Sequence, residues 1–302
     1  MSSHYRGHLA MLFFSALVAG SFSLGSMVAN DIAPMALNAV RFVIAAVVIG
    51  IAAQLTHGLR RKDFRAPWRF IVLGALFAIY FVLMFYGLQT AAPVSTAAVF
   101  TLTPVLTAVF GWVLLRQATT GRMALALSIG AIGAIWVIFR GDPEAIWAFE
   151  TGRGEMIYFL GCVAHALYTP MVRLLNRGEP AVVFTFGMLV AGAMILLAVG
   201  WSDIRATDWA GLSPLVWLVL LYVALIASAA TFVLLQYATL HLPSAKVMAY
   251  TYLTPSWVML WEIALGRPAP SAVVVLGILC TCWALWLLLR DDSVPLTATQ
   301  SG

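Results

Sequence analysis

The chain has 302 residues, of which 63% are hydrophobic and 10% charged, and its formal net charge is +5 at pH 7. Soluble domains average about 45–50% apolar and about 25% charged residues, and they have too little interior to bury this much apolar surface. The basic residues lie mainly in short breaks between apolar runs and form no continuous face, which argues against a nucleic-acid partner. The composition therefore predicts a polytopic protein of the lipid bilayer.

Ten apolar runs of roughly 20 residues, the length that crosses a bilayer, follow one another along the chain. The first run is longer than the apolar core of a signal peptide and is followed by no A-x-A site, so we interpret it as a retained helix. Gly, Pro and charged residues mark the breaks between the runs. The predicted spans are 8–28, 34–56, 68–89, 93–115, 121–140, 154–175, 180–200, 213–239, 243–265 and 270–290.

The distribution of lysine and arginine predicts the orientation of these spans. If the N-terminus lies in the cytoplasm, most of the Lys and Arg residues outside the spans fall on the cytoplasmic side, as the positive-inside rule requires. The acidic stretches "DPEAIWAFE" and "WSDIRATDW" then lie outside. We expect a multi-pass protein of the bacterial inner (plasma) membrane with both termini in the cytoplasm.

The two halves of the chain are similar in sequence. "RGHLAMLFFSAL" at 6–17 matches "RGEMIYFLGCVA" at 153–164, and "FYGLQTAAPVSTAAVFTLTP" at 85–104 matches "LQYATLHLPSAKVMAYTYLTP" at 235–255. Such similarity indicates an internal repeat. Because five spans is an odd number, the second copy must be inverted, an arrangement found in secondary transporters with a midplane substrate site. The prediction is an all-α integral membrane fold, with ten transmembrane helices in two inverted five-helix repeats around a central cavity.

The predicted organisation follows from these matches. It comprises a first repeat at 1–140, an external loop at 141–153, a second repeat at 154–290 and a disordered cytoplasmic tail at 291–302.

The order of these motifs resembles the drug/metabolite transporter superfamily, specifically its EamA-type exporters. The resemblance covers about 8–290 and includes "L-x-x-x-x-P…TP" before the fourth helix of each half and "PMALNAVRF" around Arg41. The Tyr- and Trp-rich ten-helix form is most similar to bacterial aromatic amino-acid exporters. The family's frequent Gly-Glu after the fourth helix is replaced here by "LLRQ" and "ALGRP". No role of that carboxylate can therefore be transferred.

Pro104 and Pro255 occupy matching positions in the two halves, each in a "TP" pair inside an apolar run. Each proline removes a backbone donor and clashes with the preceding turn, and the freed carbonyl needs an internal partner such as a Thr hydroxyl. We expect the two helices to kink, line the cavity and act as hinges. The alternative is that the prolines only shape packing, as is common in transmembrane helices.

Polar and aromatic side chains near the middle of several spans are candidates for the cavity. On a regular helix Met248, Tyr252 and Pro255 would share one face, as would the matching positions of the first half. Aromatic rings with polar tips suit an organic solute, although each ring taken singly fits core packing equally well. The candidate substrate-binding residues are Tyr80, Met84, Thr101, His165, Tyr168, Gln236, Met248, Tyr252 and Trp257.

Four ionisable residues within the spans are further candidates. His165 lies near the membrane centre, where it either binds a carboxylate or relays protons, or is a neutral histidine bonded to a neighbouring helix. Lys246 either extends to the interface or attracts a carboxylate at the inner mouth. Arg41 and Glu262 both fall in the outer half, and we hypothesise an interhelical pair with a structural or gating role, the alternative being contact with the substrate.

The predicted function is export of hydrophobic or aromatic amino acids by alternating access, driven either by the solute gradient or by proton antiport through His165. The scarcity of charge to pair an α-carboxylate predicts broad selectivity, and phosphorylated substrates are disfavoured. Alternatives are export of other small metabolites or drugs with proton antiport, and an integral-membrane enzyme, which would need a cluster of acids, bases or ligands. We expect no enzymatic activity, no cofactor, no metal site and, without a GxxxxGK[ST] motif, no ATP. Cys162, Cys280 and Cys282 are predicted to be apolar filler.

Overall fold

The computed structural model describes residues 3–148, 151–269 and 271–289, and the predicted disordered tail at 291–302 lies outside them. Every regular element in the described ranges is helical. Three segments have other helical windings: 3-10 helices at Arg61–Phe64 and Tyr250–Leu253, and a π-helix at Tyr222–Ala230, called the π segment. The α-helices are α1 (Ser3–Val28), α2 (Pro34–Thr56), α3 (Trp68–Leu88), α4 (Pro93–Phe100), α5 (Thr103–Leu115), α6 (Gly121–Ile138), α7 (Pro143–Ala148), α8 (Arg153–Leu175), α9 (Ala181–Val199), α10 (Trp201–Ala206), α11 (Pro214–Leu221), α12 (Thr231–His241), α13 (Ser244–Ala249), α14 (Thr254–Ala264) and α15 (Ala272–Leu289).

The starts of several helices follow directly from local sequence. Pro34, Pro93 and Pro214 are the first residues of α2, α4 and α11, where the missing proline N–H costs no intrahelical bond. Thr120 and Ser213 cap α6 and α11 by accepting hydrogen bonds from backbone amides in the first turn. These caps explain why the Gly-, Pro- and Thr-containing breaks in the sequence marked the span boundaries well.

Nine helical segments in the described ranges are long and apolar enough to cross a membrane, with α4 and α5 counted together as Pro93–Leu115 and with α11, the π segment and α12 counted together as Pro214–His241. They correspond to nine of the ten predicted spans. The predicted span 243–265 is not among them, because it is divided into α13, a 3-10 turn and α14. Its crossing of the bilayer therefore stays a prediction.

The outer surface of the bundle is apolar and polar groups lie inside. Ile132, Leu279 and Val199 are each more than half exposed, whereas Thr185 and Gln236 are fully buried. Lipid solvates apolar side chains and leaves backbone and polar groups to find partners within the protein. The arrangement is that of an integral membrane protein.

Both "TP" pairs lie where a helix stops and a new one starts. α4 ends at Phe100 and α5 starts at Thr103, so that Pro104 lies in the first turn of α5, and Pro255 lies likewise in the first turn of α14. The carbonyl of Phe100, four residues before Pro104, accepts a hydrogen bond from the Thr103 hydroxyl at 2.7 Å. The Thr103 hydroxyl therefore has the role expected from the sequence, whereas the Thr254 hydroxyl has no hydrogen-bond partner among the described residues. The expected kinks are breaks in the helices.

The two interrupted helices contact each other across the halves of the chain. α5 packs against α13 and α4 packs against α14. At the breaks themselves the hydroxyls of Thr103 and Thr251 lie 3.3 Å apart. The points at which both helices are interrupted thus meet inside the bundle.

The other helix contacts also occur in corresponding sets. α3 packs against α8 as α12 packs against α1, and α3 packs against α9 as the π segment packs against α2. α2 with α9 and α6 with α15 are contacts between corresponding helices. Exchanging the two halves reproduces the contact pattern, as the sequence similarity between the halves leads one to expect.

Glycine permits the closest of these helix contacts. A Cβ atom added to Gly133 in α6 would lie 2.7 Å from the carbonyl oxygen of Gly277 in α15. Small residues at such crossings let transmembrane backbones approach closely. The resulting van der Waals packing stabilises helix association in lipid, where the hydrophobic effect contributes little.

Candidate functional site

A group of aromatic rings fills the core where α3, α4, α8 and α12 meet. Phe77 lies 3.8 Å from Tyr168 and 4.6 Å from Phe232 between ring centroids. His165 lies 4.5 Å from Tyr80 and 5.3 Å from Phe100. We call this group the aromatic cluster, and it consists of Phe77, Tyr80, Phe81, Phe100, His165, Tyr168 and Phe232.

Eight buried side-chain atoms of the described residues have no hydrogen-bond partner, and two of them belong to a member of the aromatic cluster or to a side chain hydrogen-bonded to one. The Nδ1 atom of His165 is one, and the Oε1 atom of Gln236 is the other. The amide nitrogen of Gln236 donates to the hydroxyl of Tyr168 at 3.0 Å. A buried polar atom without a partner costs about 1–3 kcal/mol, so two of them together provide polar positions that a bound solute can satisfy.

Tyr80 forms the other polar contact of the aromatic cluster. Its hydroxyl lies 3.0 Å from that of Tyr158, and both side chains are fully buried. The sequence interpretation missed Tyr158. It lies seven residues before His165 on α8, two helical turns away on the same face, which is the signal that could have identified it.

The structure separates Tyr252 and Trp257 from the contacts of His165. Tyr252 donates from its hydroxyl to the carbonyl of Leu127 in α6 at 3.4 Å, and its ring leaves no room for a Cβ on Gly130. The indole N–H of Trp257 donates to Ser15 of α1 at 3.2 Å. These two side chains fill spaces between helices.

The remaining candidate substrate-binding residues also lie in the buried core. Met84, Thr101 and Met248 are all 0% exposed, and the Thr101 hydroxyl donates to the carbonyl of Ala98. The regular helix on which Met248, Tyr252 and Pro255 were expected to share a face is interrupted, so the shared face stays a prediction. Met248 lies in α13, Tyr252 in the 3-10 turn and Pro255 in α14, because the helix is interrupted between them.

The hypothesised pair of Arg41 with Glu262 is wrong. Glu262 forms an ion pair with Arg267 at 2.8 Å, since that arginine follows shortly after α14 and reaches back to it. Arg41 instead donates to Ser228 and to the carbonyl of Ala227, both in the π segment. The two charges therefore belong to different contacts.

Lys246 is only 4% exposed, so its side chain does not extend outwards as the interface interpretation required. It lies in α13, the short helix that packs against α5.

A second ion pair joins the start of α3 to the loop between α8 and α9. Arg69 donates to Glu179 at 2.7 Å. It also donates at 2.6 Å to the carbonyl of Leu175, which is the last residue of α8. The other carboxylate oxygen of Glu179 accepts from the backbone amide of Arg177. Burial raises the pKa of Glu179, but the hydrogen bonds from Arg69 and the loop amides outweigh it, so the pKa lies below its ordinary value.

Two open cavities lie away from the aromatic cluster. One of about 490 Å³ is a largely apolar groove lined mainly by α5 and α6. The other, of about 420 Å³, lies between the α1–α2 loop, α10 and the loop before α11, and includes Asp31, Asp203 and Asp208. The predicted central cavity is filled by its own side chains in this conformation: Tyr80, Tyr168 and Gln236 are each 0% exposed.

Within the part of the chain that the structure describes, no three His, Cys, Asp or Glu side chains are grouped so as to hold a metal ion. The site thus consists of aromatic rings, two amide or imidazole groups and hydroxyls. Such a set can bind and release a solute by stacking and hydrogen bonding.

Similarity to known proteins agrees with this architecture. A family model described as the EamA-like transporter family matches residues 5–139 and again residues 152–290. Two proteins of Bacillus subtilis (strain 168) are similar over most of their length. "Uncharacterized transporter YyaM" is 27% identical over 285 residues (91% of this chain, 93% of the relative), and "Uncharacterized transporter YetK" is 22% identical over 294 residues (93% and 86%).

A solved crystal structure shares the fold, with a TM-score of 0.71 at 20% identity over 95% of this chain and 96% of the other. The family expected from the sequence motifs is confirmed by the two matched segments, whereas the resemblance to aromatic amino-acid exporters stays a prediction. The chain is a membrane protein that belongs to the EamA-like transporter family.

Proposed function

We propose that this protein is a secondary transporter that exports hydrophobic or aromatic amino acids across the bacterial inner (plasma) membrane. It works by alternating access between two inverted five-helix repeats, with ten transmembrane helices and both termini in the cytoplasm. The substrate binds in the aromatic cluster. Pro104 and Pro255 act as hinges of the two interrupted helices.

The observation that carries the proposal is the pair of unpartnered polar atoms, His165 Nδ1 and Gln236 Oε1, beside packed aromatic rings. Both groups lie on helices of the second matched segment, while Phe77 and Tyr80 come from the first. A site at the contact of two repeats is where alternating-access transporters bind their solute. Rings stack on an apolar side chain, Gln236 Oε1 accepts a hydrogen bond from its polar end, and His165 Nδ1 accepts or donates one according to its tautomer.

The closed state of the aromatic cluster fits this mechanism. Because its members are almost completely buried, no solute can enter without movement of α3, α4, α8 or α12. Of these, α4 belongs to an interrupted helix, and because the backbone at 101–102 lacks regular α-helical bonds, α4 can move apart from α5. The packed conformation is then an intermediate between the inward-open and outward-open states.

Uptake into proteoliposomes tests the substrate class. The panel comprises labelled phenylalanine, tryptophan, tyrosine and leucine, with glucose 6-phosphate as the disfavoured class. We expect saturable uptake of the apolar amino acids and none of the sugar phosphate. Uptake of none of the amino acids would overturn the amino-acid proposal and leave the family unchanged.

Two substitutions test the site. His165→Phe and Gln236→Leu remove the unpartnered atoms while keeping side-chain volume similar, and we expect each to lower uptake about tenfold or more. Leu73→Met on α3 is the control, because Leu73 is equally buried but carries no polar atom. Equal effects of the three substitutions would show that only core packing had been disturbed.

A second candidate is export of other small metabolites or drugs by proton antiport. It is favoured by His165, which is the titratable member of the aromatic cluster with an unpartnered ring nitrogen. Uptake measured with and without an imposed pH gradient separates this mechanism from facilitated diffusion. If the gradient has no effect, or if His165→Phe responds to it as the native protein does, proton coupling through His165 is wrong.

A further inference from the structure

Arg41 is a completely buried cation that contacts only neutral groups. Its side chain is 0% exposed on α2, and its guanidinium carbon lies 3.7 Å above the centre of the Phe81 ring. Nε donates to the Ser228 hydroxyl at 2.6 Å, Nη2 to the Ala227 carbonyl at 3.0 Å and Nη1 to the Asn38 side-chain oxygen at 3.4 Å.

None of the carboxylates that the structure describes lies within ion-pair distance of this guanidinium. Uncharged acceptors and a ring face stabilise a buried charge only in part. The group also presents five N–H donors in a planar fork, which matches a carboxylate with two parallel hydrogen bonds. Arg41 therefore has the charge and the geometry to bind an anion, and in this conformation its donors bind neutral groups.

The guanidinium is adjacent to the aromatic cluster. The Phe81 ring beneath it lies 4.5 Å from Tyr80, 5.4 Å from Phe232 and 5.6 Å from Phe77. A solute stacked in the aromatic cluster would thus have its charged end within reach of Arg41. The rings and the cation together form one apolar site with a positive end.

The contacts of Arg41 cross between the two halves. Arg41 and Asn38 belong to the first matched segment, and Ala227 and Ser228 to the second. The latter two lie in the π segment, and interruptions of this kind are frequent at functional sites in helices. Separation of α2 from the π segment would release the Nε and Nη2 donors together.

The fold itself does not require an arginine at this position. Counting from the proline at the start of each helix, Arg41 of α2 corresponds to Gly187 of α9. α9 forms its span and packs against α2 and α3 with glycine there. Because the arginine is present in only one of the two repeats, we attribute to it a role other than forming the helix contacts that the repeats share.

We propose that Arg41 binds the carboxylate of the transported solute, and that Ser228 and Ala227 take the place of this carboxylate in the conformation described here. The inference rests on the proposed function, and it narrows the substrate class to solutes with an apolar body and a free carboxylate. It departs from the expectation that little charge is available to pair an α-carboxylate.

Four probes that share one ring test the proposal: L-phenylalanine, 3-phenylpropionate, L-phenylalaninamide and phenethylamine. Binding to the full chain in detergent is measured by ligand-induced thermal stabilisation, and uptake is measured in proteoliposomes. We expect the two carboxylates to bind at least about tenfold more tightly than the amide or the amine, because neither the amide nor the amine can form a charge-assisted pair with Arg41.

Three variants separate binding from structure. Arg41→Gln should abolish the preference for carboxylates, and Arg41→Lys should reduce it, because lysine keeps the charge and loses the fork. Ser228→Ala removes the strongest neutral partner and leaves the guanidinium, so it should retain the full preference. If Arg41 only held the π segment in place, Ser228→Ala would resemble Arg41→Gln in every assay.

The outcomes distinguish this inference from the proposed function. Uptake of all four probes without preference would overturn the role of Arg41 and leave the transport proposal standing. Carboxylate-selective binding that depends on Arg41, without uptake, would support the inference and overturn the transport proposal. Binding of neither carboxylate would overturn the inference. Should Arg41→Gln fail to fold, the comparison of acid with amide on the native protein, together with Arg41→Lys and Ser228→Ala, still decides.

Discussion

Removing the carboxylate of Glu179 should destabilise the whole bundle, because the Arg69–Glu179 pair joins α3 to the end of α8. In Glu179→Gln the buried Arg69 loses its charged partner and keeps the carbonyls of Leu175, Arg65 and Ala66. Breaking a buried pair from one side typically costs about 3–5 kcal/mol. Since three carbonyl acceptors remain, we expect a smaller loss of about 2–3 kcal/mol, at or below the lower limit of that range.

Thermal unfolding in detergent measures this loss. A change of 1 kcal/mol shifts the Tm of a large domain by about 2–4 °C, so Glu179→Gln should unfold roughly 4–12 °C lower. Arg177→Ala is the control in the same loop. Arg177 is exposed and only its backbone amide contacts Glu179, so this variant should stay within about 0.5 kcal/mol of the native protein.

The effect should depend on pH in a defined direction. The pKa of Glu179 lies below its ordinary value of 4.5, because its hydrogen bonds outweigh the effect of burial. A carboxyl group with a lowered pKa stabilises the folded state fully above its unfolded pKa, and this stability is lost as pH falls through the folded pKa. The difference in Tm between native protein and Glu179→Gln should therefore be constant from neutral pH down to about 5 and shrink below the ordinary pKa. An equal Tm at pH 7, or a difference that grows on acidification, would refute the reasoning.

Two further substitutions probe the helix breaks and the helix contacts. Thr103→Val removes the hydroxyl that bonds the carbonyl of Phe100 and should lower unfolding stability by about 1–3 kcal/mol, measured by thermal unfolding; an unchanged Tm would mean that this carbonyl finds another partner. Gly133→Ala places a methyl group against the carbonyl of Gly277 and should cost about 1–3 kcal/mol, whereas Gly121→Ala, with open space around it, should be neutral or slightly stabilising. Similar behaviour of the two glycine variants would contradict the close approach of α6 and α15.

The spans were predictable because a bilayer imposes one strong requirement on every segment. Apolar length and proline or threonine at the boundaries identified nine helices to within a few residues. The interruption at Tyr250–Leu253 was less predictable. Pro255 predicts an irregularity in the helix. Whether the helix bends or restarts there depends on which partners the freed backbone groups find in neighbouring helices.

The candidate site was predicted only in part, because hydropathy does not fix helix rotation. Tyr80, His165, Tyr168 and Gln236 were named from their depth in the membrane, and the structure brings them together. Tyr252 was named by the same argument and instead packs against α6. In segments that are apolar on all sides, periodicity carries no information on which face is inward, so only the fold separates these cases.

The position of the two breaks bears on how a transporter with a packed core can open. Each interrupted helix forms one contact before its break and another after it: α4 with α14 and α5 with α13. A continuous helix would transmit any tilt along its whole length and so disturb both contacts at once. Under the proposed mechanism, the interruptions at 101–102 and 250–253 would allow α5 and α13 to part while α4 and α14 remain packed, or the reverse. If transport proceeds by alternating access, as proposed, opening at one membrane surface is thereby compatible with closure at the other. The hydroxyls of Thr103 and Thr251 lie at the breaks, between the part of each helix that moves and the part that stays packed.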